Sequence, residues 1–484
     1  MQKVDFVLSR MILFAVVTLF IAPISLVEVY SFETIGGSSL ALSVAASITS
    51  PQEGSTEPET IFIRNSRFEH PPSMIIDSDG SIHAVWSYQY AKIDQNKNVV
   101  ARQLFRDAYV PDIAIFNDRI HIVWSDYRDP KGNTELYYMQ LDNNGTIVIN
   151  ERRLTDAISV SDYPSMAVDN EGNVHIVWED WRYTSRIIGT RPDCPRGSSL
   201  NFNLWSFELF KEEESCEIYE TRNLRGVYYT KLDANGNKII DDIRVTPDDN
   251  ITRMEMLRPR VAFDGIDQLH VVWWDRRDAD RLDTSNEAEV YYTKLDLKGN
   301  KLLPDIRVTN ARGDSAWPDL DVDSNGNAHV VWFDDRLSLD GGTYEIYRTT
   351  MSKDGTKVLN DTKISSIPKY STAGWPNIAV DENDDIHVVW SEIWTVEIEP
   401  PAGYKSGIYY TRINSDGSIE QLPLFAADGG GYSDLVVSDS KVYVLSDSGN
   451  SINITVIPEF PLVTLVLVSA LAGCVVFIRF RKGR

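Results

Sequence analysis

The chain has 484 residues, 43% of them hydrophobic and 11% aromatic, enough to bury a sizeable core and too apolar for a disordered polymer. Its formal charge of −24 excludes a nucleic-acid partner, because neutralising phosphates needs Lys/Arg clusters and the one dense basic run is the last few residues. The acidity fits a soluble domain or a cation-rich setting.

At the N-terminus, residues 11–27 are apolar, with Lys3 and Arg10 before them and Glu28 after, the charge order of a secretory signal peptide or signal anchor. Small residues over 40–46 offer cleavage near Ala45 and Ala46. Residues 1–46 are therefore expected to be a leader with an apolar helix, and 47–59 a linker.

Residues 60–456 are an internal repeat. The segment Tyr163-Pro164-Ser-Met-Ala-Val-Asp169-Asn-Glu-Gly172-Asn-Val-His175-Ile-Val-Trp178 recurs from Pro72, Pro111, Pro259, Pro318 and Pro376. Six of the seven histidines (His83, His121, His175, His270, His329, His387) stand three residues before a Trp (Trp86, Trp124, Trp178, Trp273, Trp332, Trp390). Each unit reads as four strands joined by Asp/Asn-Gly turns; in the third they fall at 165–169, 174–179, 226–232 and 238–246. Four-stranded units repeating every roughly 40 to 60 residues are propeller blades. A seventh, eroded unit puts Tyr443 where His stood and Ser446 where Trp stood, and offers strands at 435–437, 442–445 and 452–456. Its fourth strand is expected from residues 61–66 at the front of the domain, a three-plus-one closure that leaves no unpaired edge at the seam. The fold class is therefore all-β, a seven-bladed propeller, with six blades plus a C-terminal hairpin as the alternative.

The repeated His and Trp lie three apart on one strand and point to opposite faces, which suits packing; six ligands on six blades do not converge on one ion. Asp126 and Arg128, Asp180 and Arg182, Asp275 and Arg277, and Asp334 and Arg336 follow the Trp in four blades, at the end that also carries Tyr163-Pro164, Trp317-Pro318 and Trp375-Pro376. Such a ring can hold an anionic or sugar ligand. Recurrence favours pairing within or between blades, because a binding site breaks repeat symmetry. The breaks are Tyr88 and Tyr90 in the first blade, Glu392 and Trp394 in the sixth, and an aromatic, acidic insertion over 183–225. Of three cysteines, Cys194 and Cys216 bracket that insertion, so a disulfide is expected there, with free thiols the alternative. Asn144, Asn250, Asn360 and Asn453 head glycosylation sequons. Asp321, Asp323 and Asn325 begin like an EF-hand loop, but position twelve is Trp332; calcium is the one metal the turns suggest, a hydrogen-bonded turn is the competing reading, and no other cofactor is expected.

After the repeat come Pro458-Glu459-Phe460-Pro461 (motif 457–461), an apolar stretch over 462–478, and a basic tail over 479–484. About 17 to 20 apolar residues span a bilayer. The positive-inside rule keeps the tail in the cytoplasm and the repeat domain outside, in a single-pass arrangement. The motif, helix and tail resemble the Pro-Glu-Phe C-terminal sorting signals of archaeal and bacterial surface proteins, which implies reading by a membrane sortase.

The opening Pro-x-x-Ala-Val-Asp-x-x-Gly-Asn of the third unit resembles the NHL-type propeller repeat, and the Trp-bearing strands with Asp-Gly turns look like the sialidase-like, BNR/Asp-box superfamily. The latter resemblance implies arginines gripping a carboxylate, a Tyr/Glu nucleophile pair and an acid Asp. The full Asp-box and a Phe-Arg-Ile-Pro element are absent here, so those residues are not carried over. The expected function is a membrane-anchored, non-catalytic binding or structural module of the cell surface with a glycan or surface-protein partner; the alternative is a sialidase-like glycan hydrolase or polysaccharide lyase.

Overall fold

The computed structural model describes residues 15–21, 24–35, 39–48, 59–64, 70–129, 132–190, 199–202, 209–210, 217–247, 257–278, 287–337, 343–367, 371–396, 403–447 and 451–457. The chain divides into two units, Met1–Glu59 and Thr60–Arg484.

In the first unit, Ala15–Ile21, Ile24–Ile35 and Ser39–Ile48 form an antiparallel meander. The helix expected of the leader is therefore corrected to strand where it is described. The stretch is rich in Val, Thr, Ile and Phe, which favour extended backbone when no bilayer imposes a helix. The C-terminal helix, the sorting motif and the basic tail lie outside the described residues. Among the described residues no helix is long and apolar enough to cross a membrane.

The second unit is a seven-bladed propeller of four-stranded sheets. The third blade holds Ser161–Val168, Val174–Asp180, Gly226–Leu232 and Lys238–Arg244, within a few residues of the expected spans. The seventh holds Ser433–Ser438, Lys441–Asp447 and Ser451–Ile457, and takes Glu59–Arg64 as its outer strand. The ring is thus sealed three-plus-one: the innermost strands touch in sequence around the axis, and that of the last blade meets that of the first. Ile61 of the closing strand packs beside Ala84, Leu445 and Ile454, joining the first and seventh blades in one core cluster.

The repeat Trp is fully buried, and in the second to sixth blades it sits directly opposite a Tyr of the third strand, as in Trp124–Tyr137, Trp178–Tyr228 and Trp273–Tyr291. Ring centroids in these pairs are 5.9 to 6.1 Å apart. The repeat His faces the other way. His83, His121, His175 and His387 meet the hydroxyls of Tyr90, Tyr138, Tyr229 and Tyr410 at 2.7 to 2.9 Å. Burial, the largest influence, holds His121 and His175 neutral with pKa values down at about 4. The histidines are packing elements, each on its own blade.

Blades are joined by side chains of the third strand reaching the next blade's turn. Lys92 donates to Asn143 O at 2.7 Å, Lys294 to Lys353 O at 2.7 Å, and Arg348 to Gly417 O at 3.1 Å. The turns must come close for this. At Gly236 (φ +69°) and Gly299 (φ +80°) a Cβ would stand 2.7 and 2.5 Å from ring carbons of Tyr138 and Tyr229, so only Gly fits both the left-handed backbone and the approach.

Candidate functional site

The Asp/Arg ring is a set of closed structural clamps. Each Asp accepts from its own Trp indole N–H at 2.9 Å, namely Trp124 to Asp126, Trp178 to Asp180, Trp273 to Asp275 and Trp332 to Asp334. The same Asp accepts the backbone N–H and guanidinium of the Arg two residues on; Arg182, Arg277 and Arg336 approach Asp180, Asp275 and Asp334 to 2.6 Å. Each guanidinium then covers the Tyr stacked on that Trp, 4.1 to 4.5 Å from the ring centroid, and reaches a carboxylate of the outer strand: Glu151, Asp242, Asp305 or Asp361. The Asp residues are at most 1% exposed, so the carboxylates of the ring are committed to these clamps.

The symmetry breaks are explained by the same clamp. In the sixth blade Glu392 accepts from Trp390 at 2.9 Å, and Trp394 takes the guanidinium's place against Tyr409, edge-on at 6.3 Å. Burial pushes the Glu392 carboxyl up to about 7. In the first blade the second and third strands are joined by a tight turn, with Tyr88 at its tip (φ +67°, 40% exposed). This shortens the register, so Tyr90 is not the counterpart of Arg: it is fully buried as the partner of His83. That assignment is corrected. Without an Asp, the Trp86 indole N–H has no hydrogen-bond partner among the described residues.

The other expected sites separate. Cys194, Cys216 and Asn250 lie outside the described residues. Asn144 and Asn360 are exposed, whereas Asn453 is 4% exposed in a strand of the seventh blade. Asp321, Asp323 and Asn325 do not converge. Asp323 caps its turn through Asn325 N and Asn327 N at 3.0 and 2.8 Å, while Asp321 binds Val322 N and Val380 N at 2.8 Å. The one carboxylate cluster tight enough for an ion among the described residues, Asp129, Glu135 and Asp156, is spanned by the Arg153 guanidinium at 2.6 to 2.8 Å.

Inside the insertion, Tyr183–Thr190, Glu217–Asn223, Ser199–Phe202 and Leu209–Phe210 build a small sheet in that order.

What the repeat does open is the axis. Six of the seven innermost strands carry an X-Pro pair within or just before them, the seventh having Tyr432-Ser433, and in five blades X has a left-handed backbone: Val110 (φ +44°), Tyr163 (+52°), Arg258 (+40°), Trp317 (+52°) and Trp375 (+50°). The third, fifth and sixth blades show a register shift at this point. A residue before Pro ordinarily avoids compact backbone, and a bulky residue at positive φ is strained by about 1 to 3 kcal/mol. Such bulges re-aim a side chain. Here they line a funnel with Tyr163, Arg258, Trp317 and Trp375, joined by Tyr432 from the seventh blade.

These five side chains form one contiguous tier. Arg258 lies 4.2 Å from the Tyr163 ring centroid and 3.1 Å from that of Trp317, and donates to Tyr163 Oη at 2.9 Å. Trp317 stands edge-on to Trp375 at 6.0 Å and stacks with Tyr432 at 6.0 Å; Trp375 meets Tyr432 at 5.4 Å. The indole N–H of Trp375 and the hydroxyl of Ser433, both lining the funnel, have no hydrogen-bond partner among the described residues.

Two residues further along the inner strands is a charged tier: Asp112, Arg260, Asp319 and Asp434. Neighbouring inner strands do not pair, so side chains join them. Asp112 accepts Met166 N at 2.7 Å, Asp319 accepts Ile378 N at 3.1 Å, and Asp434 accepts Met74 N at 2.7 Å, each across a blade boundary. Arg260 stands 3.6 Å from Asp319. Burial works against its charge, but the field of Asp319, Asp112 and Asp434 overrides this and holds it protonated above the ordinary range. Three carboxyls face one guanidinium, and burial raises all three, Asp434 to about 7. Beside the mouth, burial also lifts Asp162 to about 6, although it accepts from Ser125, Tyr109 and the Tyr163 amide.

The sequence flagged the aromatic-Pro pairs but missed Arg258, Tyr432 and the charged tier. The signal was present: position X and the second residue after it vary from blade to blade while Pro recurs.

A pH prediction follows. The folded Asp434 keeps its proton from about pH 4 to about pH 7, where the unfolded chain, at 3.8, has lost it. The native state then binds more protons, so this group's contribution to stability falls as pH rises through that window. Denaturant unfolding of Asp434→Asn should gain stability relative to the native sequence between those limits and hold a constant difference outside them. A pH-independent difference would contradict the assignment.

No protein-family model matches the chain, and no curated protein matches it. Among solved structures, the chain is similar to a polysaccharide lyase, an ulvan lyase bound to -[GlcA(1-4)Rha3S]-, at 11% identity and TM-score 0.49, over 83% of this chain and 96% of the lyase. It is similar to an α-L-arabinanase of Penicillium chrysogenum complexed with arabinobiose, at 12% identity and TM-score 0.46, over 83% and 97% of the two chains. It is also similar to a sialidase of Streptococcus pneumoniae, at 11% identity and TM-score 0.43, over 89% of each.

Proposed function

We propose that this protein is an exported, membrane-anchored glycan-binding propeller whose ligand enters the axial funnel and stacks on Trp317, Trp375 and Tyr432. The observation that carries the reading is the tier of aromatic side chains aimed inward by strained X-Pro bulges. Strain of this kind persists where the surrounding fold enforces it, and it concentrates at ligand sites. Flat rings suit the apolar face of a sugar.

A second reading, a glycan hydrolase or lyase, is favoured by one observation. Asp434, with its carboxyl at about 7, lies in the tier beside the aromatic one and would donate a proton near neutral pH, where an ordinary Asp is spent.

One set of incubations tests both. A protein of residues 59–457 is offered neutral and uronate-containing polysaccharides, and retention, reducing ends and unsaturated uronate are measured. Trp317→Ala is expected to weaken retention by about thirtyfold or more, the usual scale for truncating a buried aromatic anchor. Retention without product, unchanged in Asp434→Asn, assigns a binding module. Product that Asp434→Asn abolishes assigns catalysis. Retention indifferent to Trp317→Ala refutes the funnel as the site.

A further inference from the structure

In three blades the residue after the repeat Trp props the bulge of the next blade. Ser125 Oγ donates to Asp162 at 2.7 Å, next to Tyr163, and Ser391 Oγ accepts Gly431 N at 3.2 Å, next to Tyr432. In the third blade the prop is a carboxylate. Glu179, 1% exposed, accepts Leu257 N at 2.5 Å and Arg258 N at 3.2 Å through one oxygen. Its other oxygen accepts the Trp181 indole N–H and faces Arg225 Nη2 at 3.5 Å. Trp181 and Arg225 stand on the two legs of the insertion, with the guanidinium 3.7 Å over the indole. Leu224 N to Arg182 O, at 3.0 Å, ties those legs together. One buried side chain therefore holds both the root of the insertion and the backbone that places Arg258 in the funnel.

We propose that Glu179 is a positioning residue that couples the insertion to the funnel, so that the order of the insertion's root and the affinity of the funnel are linked. Its regulatory half rests on the reading of the funnel as the ligand site. The coupling is physical: the two halves share one carboxylate, each through its own oxygen, and the partners on each side restrain its rotamer for the other. Linkage of this kind is reciprocal, so ligand in the funnel also firms the root.

Amide exchange of residues 257–261 is measured in residues 59–457 of the native sequence and in Arg225→Ala, Trp181→Ala and Glu179→Gln. Neither Arg225 nor Trp181 is a partner of the Leu257 or Arg258 amide in the contacts above. Even so, their loss should speed exchange at those two amides by about tenfold or more, as local opening becomes easier. Gln keeps an acceptor for the amides but uncouples the root, so Arg225→Ala should add nothing in its background. Exchange at 257–258 that is the same in Arg225→Ala, Trp181→Ala and the native chain overturns the coupling.

The polysaccharide retained by the native chain gives the second readout. Arg225→Ala should weaken it by about fivefold or more, a coupling within the common range. If Trp317→Ala removes binding and Arg225→Ala leaves it intact, the coupling fails and the funnel reading stands. If Trp317→Ala is harmless, the funnel reading fails and the exchange data alone decide the role of Glu179.

Discussion

A chain beginning at residue 70 is expected to lose at least about 4 kcal/mol of stability relative to one beginning at residue 59, and to self-associate. The difference includes the outer strand of the seventh blade, Glu59–Arg64, which pairs the front of the domain with its last blade. Its loss withdraws the partly buried Ile61 from a cluster with Ala84, Leu445 and Ile454, worth about 1 to 2 kcal/mol, below the full-burial figure for an aliphatic side chain. It also removes a ladder of backbone hydrogen bonds, each about 1 kcal/mol net. The bared edge of Ser451–Ile457 then offers unpaired N–H and C=O groups to a second copy. Denaturant unfolding with sedimentation checks both parts. A shortened chain that unfolds as one cooperative monomer at the original midpoint would show that the six remaining blades and a three-stranded seventh suffice.

Asp180→Ala is expected to destabilise by about 3 to 5 kcal/mol, the scale for removing one member of a buried charged pair. Asp180 is 0% exposed and holds four donors: the Trp178 indole, the Arg182 amide, the Arg182 guanidinium and the Ser161 hydroxyl. Alanine leaves the indole without an acceptor and a guanidinium over Tyr228 without its nearest carboxylate. Asp180→Asn keeps one acceptor oxygen and should fall between. Polysaccharide retention per folded molecule should fall far less than in Trp317→Ala, because Asp180 does not line the funnel and bears on it only through the insertion root that Arg182 ties. A stable Asp180→Ala that has lost retention would reverse the assignment, making the Asp/Arg ring the ligand face.

The clamp shows what repetition hides and reveals. Blade number and the three-plus-one closure were legible because hydrophobic periodicity, Asp/Asn-Gly turns and the His/Trp spacing all report backbone geometry, which the fold repeats blade by blade. The role of Asp126, Asp180, Asp275 and Asp334 was half legible: recurrence argued for pairing, but only the structure shows the indole as the first partner. Tyr90 was misassigned because counting from Trp86 ignores a shortened turn, and a change of turn length shifts which residue faces which. The funnel was the least legible part. Arg258, Arg260, Asp434 and Tyr432 lie on four strand positions scattered from residue 258 to residue 434, and only ring closure gathers them. Nothing in local pattern marks an axis. What the sequence did carry is variation at X beside a Pro that recurs in six blades, the mark of a position freed from blade packing.

The most direct test of the funnel as the ligand site is a hydrogen-exchange footprint of the retained polysaccharide on residues 59–457. Protection is expected in the segments carrying the aimed side chains, 257–261, 315–320, 373–378 and 431–434. The clamp segments around Asp126, Asp275 and Asp334 should be unaffected. Protection confined to the clamp loops or the outer strands, with those four segments unchanged, would contradict it.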